Sequence, residues 1–205
     1  MTDIQILENC FSLFNEYLFG KELPLCVVTL QRSKKSRGYF HASIFENRTD
    51  GKETCHEIAM NPAHFNRSIK EILSTLVHEM CHLWQQEFGE KKSLKAYHNK
   101  EWAEKMESIG LMASSDGTES GKKTGQNMTH YIIDGGRFDG LFDHKTFRDI
   151  DIKWQSRVPI QGIKNKSAKT SKNKFTCPSC QQNAWAKETA KIICGDCDEE
   201  MELSL

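Results

Sequence analysis

Two groups of residues in this chain have the types and spacing to bind metal. The first is His78-Glu79-Met80-Cys81-His82, an HExxH sequence. Two histidines four residues apart lie one turn along the same helix face, close enough to share one ion. Glu79, beside the first of them, would take a proton from metal-bound water and pass it to a leaving amine. Zinc is the expected ion, because imidazole donors and an open tetrahedral position suit it. The second group is Cys177-Pro178-Ser179-Cys180 and Cys194-Gly195-Asp196-Cys197, separated by Gln181 to Ile193. Four thiolates at that spacing close a coordination shell, so this site is read as structural zinc. Gly195 is expected to permit the tight turn around sulfur. Cys10, Cys26, Cys55 and Cys81 stand apart and read as free core thiols.

A catalytic zinc usually takes three protein ligands and leaves one position for water. The short-spaced HExxHxxGxxH arrangement is absent, since Gln85 stands three residues after His82. His98 is the next histidine, at the start of a predicted second helix, with Glu101 one turn on as the rival ligand. Spacing favours His98 and leaves both open. Trp102 would anchor that turn in the core.

These residues need elements to position them. Ser68 and Glu71 fit a capping box that starts the metal helix. From Ile69 to Trp84 apolar residues then recur at three- and four-residue steps. On the wheel the stripe centres between Met80 and Leu73, with His78 and His82 on the opposite side, a face expected to turn away from the core. An N-terminal helix is predicted through Ile4, Leu7, Phe11, Phe14 and Leu18, stopping at Gly20. Leu25–Leu30, Tyr39–Phe45 and Thr54–Met60 read as three strands of an antiparallel meander, joined by the turns Arg32–Gly38 and Asn47–Lys52. The second helix is expected to end at Gly110. Leu111 to Thr129 is polar and rich in Gly and Ser and reads as a loop, with Tyr131–Ile133 as a further short strand.

The chain has 205 residues, 38% hydrophobic and 27% charged, enough for one ordinary domain and a small appendix. No apolar run reaches the roughly 20 residues of a membrane span, so no membrane partner is expected. The start lacks a basic n-region, so an intracellular, cytoplasmic and reducing compartment is expected, where paired thiols mean metal more often than disulfide. Lys+Arg and Asp+Glu both total 28, so composition does not point to a polyanion. Lys164 to Lys174 has five lysines and no acid, and reads as a flexible linker. The domains are therefore expected as 1–157, a basic linker 158–174 and a cysteine module 175–205. That module has two lysines against six acids and should repel phosphate. If DNA is a partner, segments 164–174 and 32–37 are the expected contacts. Trp185 is expected to pack over the module's hairpin.

Leu76-Val77-His78-Glu79-Met80-Cys81-His82, His98-Asn99-Lys100-Glu101-Trp102 and the four-cysteine module together resemble the SprT-like family of zinc metalloproteases, which includes the DNA–protein crosslink protease Spartan. The likeness covers about Leu13 to Ile109 and the cysteine module, and Thr124–Tyr131 is similar to plasmid- and phage-type bacterial members. Asn99 stands where the family often has Gly. The resemblance implies an α+β, zincin-like core: a small antiparallel-rich sheet packed on the HExxH helix, followed by a zinc ribbon. It implies that His78, His82 and His98 bind zinc and that Glu79 is catalytic. It further implies a protein or peptide substrate laid along a sheet edge formed by Tyr39–Phe45 or Thr54–Met60, and DNA-crosslinked proteins as the substrate class. His130 and Tyr131 would stabilise an oxyanion or serve in packing. The expected function is thus a zinc-dependent endopeptidase. The alternatives are a non-proteolytic, zinc-stabilised nucleic-acid- or protein-binding regulator, and a latent protease with Ser114–Gln126 as a lid.

Overall fold

A computed structural model describes residues 1–34, 36–91, 97–157 and 173–204. The chain is mixed α/β with small sheets and divides into two compact units, 1–160 and 161–205. The linker expected over 158–174 lies outside the described residues except for Asn173 and Lys174.

The first unit opens with α1 (Asp3–Phe19), started by a Thr2/Gln5 capping box and stopped by Gly20 in the left-handed region. Its face of Leu7, Cys10, Phe11, Phe14 and Leu18 is buried. Strands β1 (Cys26–Leu30), β2 (Gly38–Glu46) and β3 (Thr54–Met60) form one sheet in the order β1-β3-β2. The expected meander is corrected here. β2 pairs antiparallel with β3 as its turn requires, but β1 pairs parallel with β3, from Cys26↔His56 to Leu30↔Met60. Burial explains the order: Ile58, Ala59 and Met60 are at most 1% exposed, as a central strand must be, whereas β2 is largely open. A bulge between His41 and Phe45 puts Ser43 at φ 49°, and the freed Ser43 N–H donates to His56 Nδ1 at 3.1 Å.

Helix α2 (Ile69–Phe88) begins at the predicted Ser68/Glu71 box and lies against α1, β2 and β3. A cap of this kind contributes about 1 kcal/mol. The helix is not amphipathic in effect: every residue from Ile72 to Cys81 is buried. The face expected to turn away from the core is the base of a cleft, with His78 and Glu79 buried there and His82 half-buried. Cys10, Cys26 and Cys81 are buried free thiols and Cys55 is half-buried; burial pushes Cys10 and Cys26 up to about 12.

Beyond α2 the chain forms β4 (Tyr97–His98), α3 (Lys100–Ser108), β5 (Leu111–Ser114), β6 (Gly125–Gln126) and β7 (Thr129–Ile132), then α4 (Arg137–Leu141) and α5 (Lys145–Arg148). One expectation is refined and one fails. The second helix, expected to start near His98, begins at Lys100 with Asn99 as its N-cap, accepting from Trp102 N at 3.0 Å, and His98 itself lies in β4. The stretch read as a loop contains β5, which pairs antiparallel with β7, and β6, which pairs with β4. Phe14 stacks on Phe147 and meets Phe138, tying the last helices to α1. Among the described residues no helix is long and apolar enough to cross a membrane.

The second unit holds β8 (Asn173–Thr176) between β9 (Asn183–Ala186) and β12 (Glu202–Leu203), plus the pair β10 (Ile193–Cys194) and β11 (Glu199–Glu200). Among the described residues its buried core is Phe175, Cys177, Cys194 and Met201, with Ala184, Ala186, Ile192 and Cys197 packed against it. Trp185 does not pack over the hairpin; it is 59% exposed. The tight turns do not depend on Gly195 either. The left-handed residues are Gln181 (φ 63°) and Asp198 (φ 55°), each following the second cysteine of its pair.

Candidate metal centre

Trp102, with no exposed surface, is the floor of a histidine cluster. Its ring lies 4.9 Å from that of His78, 5.1 Å from His82 in a stacked arrangement and 4.4 Å from His98. Helix α2 supplies two of these imidazoles one turn apart, and β4 supplies the third. One ring nitrogen from each lies within 4.8 Å of the others. The Nε2 atoms of His82 and His98 are 3.0 Å apart. So the three histidines singled out from the sequence converge. Glu101 does not join them. Its carboxylate accepts from Glu90 N at 2.8 Å and Lys91 N at 3.2 Å, closing the turn after α2.

Burial favours the neutral, electron-donating form of the two helix imidazoles: it drives His78 well below its usual range and His82 down to about 3, and neighbouring rings, His98 among them, add to both shifts. Neutral imidazole is the form a metal requires. Glu79 is buried beside His78, and desolvation raises it to about 8 against the backbone N–H of Phe40, which favours the ionised form. A nearby dication would favour the carboxylate in the same way.

Four residues that sequence reasoning passed over hold this arrangement. Gly125 accepts from His98 Nδ1 at 3.2 Å, the consequence of pairing β4 with β6. Gln85, only 1% exposed, donates to Asn99 Oδ1 at 2.6 Å and so steadies the start of α3. Ser74, buried one turn before His78, lies 2.8 Å from His130 Nε2. Gly38 faces Glu79: a Cβ there would lie 3.2 Å from Glu79 Oε1. None of the four carried a sequence signal for this role; Asn99, which Gln85 holds, did, because its residue type caps helices.

His130 itself reaches the cluster, with Nδ1 at 3.0 Å from His78 Nδ1. Both its ring nitrogens are therefore occupied, which leaves no N–H for an oxyanion. Tyr131 lies in β7 and does not line the cleft. The histidines form the base of a cleft of about 710 Å³. Gly38, Tyr39, Phe40 and Ala42 of β2 line it, as do Asp116 and Asn127 to His130. The sheet order makes β2 an edge strand and β3 a central one, so of the two strands proposed for peptide binding only β2 has a free edge among the described residues.

In the second unit, one sulfur from each of Cys177, Cys180, Cys194 and Cys197 lies within 4.8 Å of the others, with no disulfide between them. Cys180 Sγ and Cys194 Sγ are 3.5 Å apart. Backbone N–H groups of Cys180 and Ser179 lower Cys177 to about 7, while neighbouring sulfurs raise Cys197 to about 12. Four thiolates this close repel one another, so full ionisation needs a cation among them. Both donor sets fit zinc.

A sequence model described as the SprT-like family matches residues 7–130, more than half of the chain. The match ends at His130 and so takes in the whole histidine cluster but not the cysteine module. A Salmonella typhimurium protein, described as an uncharacterized protein in the mucB 3' region, is 44% identical over 45 residues. That stretch is 22% of this chain and 61% of the Salmonella protein, so the chain spans less than two thirds of that relative. No solved structure matches.

Proposed function

The chain belongs to the SprT-like family, and from that premise and the site's geometry we propose that it is a zinc-dependent endopeptidase. The observation that carries the reading is the convergence of His78, His82 and His98 beneath a cleft, with Glu79 buried beside them. In this reading the three imidazoles hold the catalytic zinc in a zincin-like core. Cys177, Cys180, Cys194 and Cys197 hold a structural one in a zinc ribbon. Zinc so bound supplies a Lewis acid and an acidified water. Glu79 takes the proton of the attacking water and returns it to the leaving amine. The free edge of β2, from Gly38 to Ala42, receives the extended substrate by main-chain hydrogen bonds, which accept many sequences. Trp102 keeps the imidazoles in place from below, and the cysteine unit, with its small core, draws its stability from metal.

Proteins crosslinked to or bound on DNA are the substrate class we assign. Support comes from the basic turn 32–37, whose Ser36 and Arg37 line the cleft and would face a phosphate backbone held beside it. Of the other basic segment, 164–174, residues 164–172 lie outside the described residues. The test is cleavage of a protein crosslinked to DNA by the zinc-loaded chain and by Glu79→Gln. The same protein is offered without DNA and with free single-stranded DNA. Cleavage lost in the variant supports the mechanism, and dependence on DNA supports the substrate class. Equal inactivity of both, with two zincs bound, replaces the reading with that of a zinc-stabilised binding protein.

A further inference from the structure

We propose that Ser74 and His130 are positioning residues that set the tautomer of His78 and so aim its Nε2 lone pair at the metal. This inference rests on the zinc reading above but is argued from hydrogen bonds alone. Ser74 Oγ lies 2.9 Å from the carbonyl oxygen of Glu71, and two oxygens that close need a hydrogen between them; the carbonyl has none, so the Ser74 proton points there. Toward His130 Nε2, at 2.8 Å, Ser74 then offers only a lone pair. Nε2 of His130 must carry the hydrogen. In a neutral imidazole the other nitrogen is bare, so His130 Nδ1 accepts. Its neighbour at 3.0 Å is His78 Nδ1, which must donate. Nε2 of His78 is left with a free lone pair.

The chain of donors runs His78 Nδ1–H to His130 Nδ1, His130 Nε2–H to Ser74 Oγ, and Ser74 O–H to Glu71. Each proton is used once and no acceptor faces another. His78 is buried and His130 half-buried, and both ring nitrogens of His130 are taken up by these hydrogen bonds. A second ligand is set in the same way. The Gly125 carbonyl takes the Nδ1–H of His98, which turns its Nε2 toward His82 Nε2 at 3.0 Å. The stretch from Gly125 to His130 therefore orients two of the three ligands. Groups that fix the ring and tautomer of a ligating histidine typically account for 10–100-fold in metal affinity.

Two measurements test this. Long-range ¹H–¹⁵N spectra of the metal-free chain read histidine tautomers directly. His78 is expected with its proton on Nδ1 and His130 with its proton on Nε2; the opposite assignment overturns the proposal whatever the activity. Cobalt(II) and zinc titrations against a chelator then read affinity at the imidazole site, whose visible bands differ from those of a thiolate site. His130→Leu should bind about 10–100-fold more weakly. His130→Asn should recover part of the loss, because its carbonyl oxygen can still accept from His78 Nδ1. Ser74→Ala should fall between these and wild type. Wild-type affinity in a folded His130→Leu overturns the proposal, as does equal loss in the Leu and Asn variants. Failure of the wild-type chain to bind metal at the histidines would instead overturn the zinc reading, with the tautomer result standing by itself.

Discussion

Gly38 leaves the space that the carboxylate of Glu79 occupies: a Cβ on Gly38 would sit 3.2 Å from Glu79 Oε1, 3.1 Å from the Ala59 carbonyl oxygen and 3.2 Å from Thr75 Cγ2. Nothing about the backbone at Gly38 calls for glycine; the neighbours do. The edge strand that would bear substrate and the proposed general base are thus packed directly on each other.

Gly38→Ala should therefore displace Glu79 by a few tenths of an ångström and lower peptide hydrolysis by up to about 10-fold, short of the roughly 100-fold that a 1 Å misplacement of a reacting group causes. Gly38→Val adds overpacking and should also lower stability by about 1–3 kcal/mol. Zinc content should not change in either. Turnover by Gly38→Ala equal to wild type would show that Glu79 does not need its present position.

Glu79→Gln removes the proton carrier and keeps the shape. Hydrolysis should drop about 10²–10⁴-fold, while metal analysis still finds two zincs per chain. If zinc is lost together with activity, Glu79 holds the site rather than working on substrate.

The metal-free chain should respond to pH from both sides. His82 and His130 titrate at about 3 when folded against 6.5 ordinarily. The unfolded chain therefore takes up protons that the folded one refuses, and stability falls as pH drops from about 6.5 toward 3. Glu79 titrates at about 8 when folded against 4.5 ordinarily. Here the folded chain keeps a proton that the unfolded chain has released, so stability falls as pH rises from about 4.5 to 8. Glu79→Gln abolishes only the second trend and should gain on wild type across that window. Urea unfolding of the chelated protein, followed through its helical signal, checks the sign; parallel curves for the two proteins would count against a buried, protonated Glu79.

Cys177→Ser should reduce the zinc count from two to one and leave the second unit unfolded, because its apolar core is Phe175 and Met201 with two cysteines. Far-ultraviolet helical signal belongs to α1 through α5 of the first unit and should persist. An ordered second unit in the zinc-free variant, seen by amide exchange, would show that the core suffices without metal.

Much of the first unit was readable from local pattern. The capping box at Ser68/Glu71, the α1 stop at Gly20 and β3 over Thr54–Met60 follow from residue types within a few positions. What failed depended on partners far away in sequence. The meander failed because β1 chose the buried strand β3 as its neighbour instead of the next strand, β2. Leu111–Ser114 looked like loop because four residues do not establish a strand until β7 pairs with them. His98 was placed on a helix because Asn99, one residue later, is where the helix signal begins.

His78, Glu79, His82 and the four cysteines stood out in the sequence by themselves, because ligands one turn or one knuckle apart are held by local backbone geometry. Spacing and the family resemblance already favoured His98 over Glu101; the tertiary structure supplies the reason, because β4 brings one to the cluster and the turn after α2 takes up the other. Only the tertiary structure assigns Ser74, Gly125 and His130 their contacts around the ligands, and Gly38 its contact with Glu79. A tautomer, or room for one carboxylate, depends on contacts across strands and helices dozens of residues apart. Such contacts leave no periodicity in the chain, and only packing creates them.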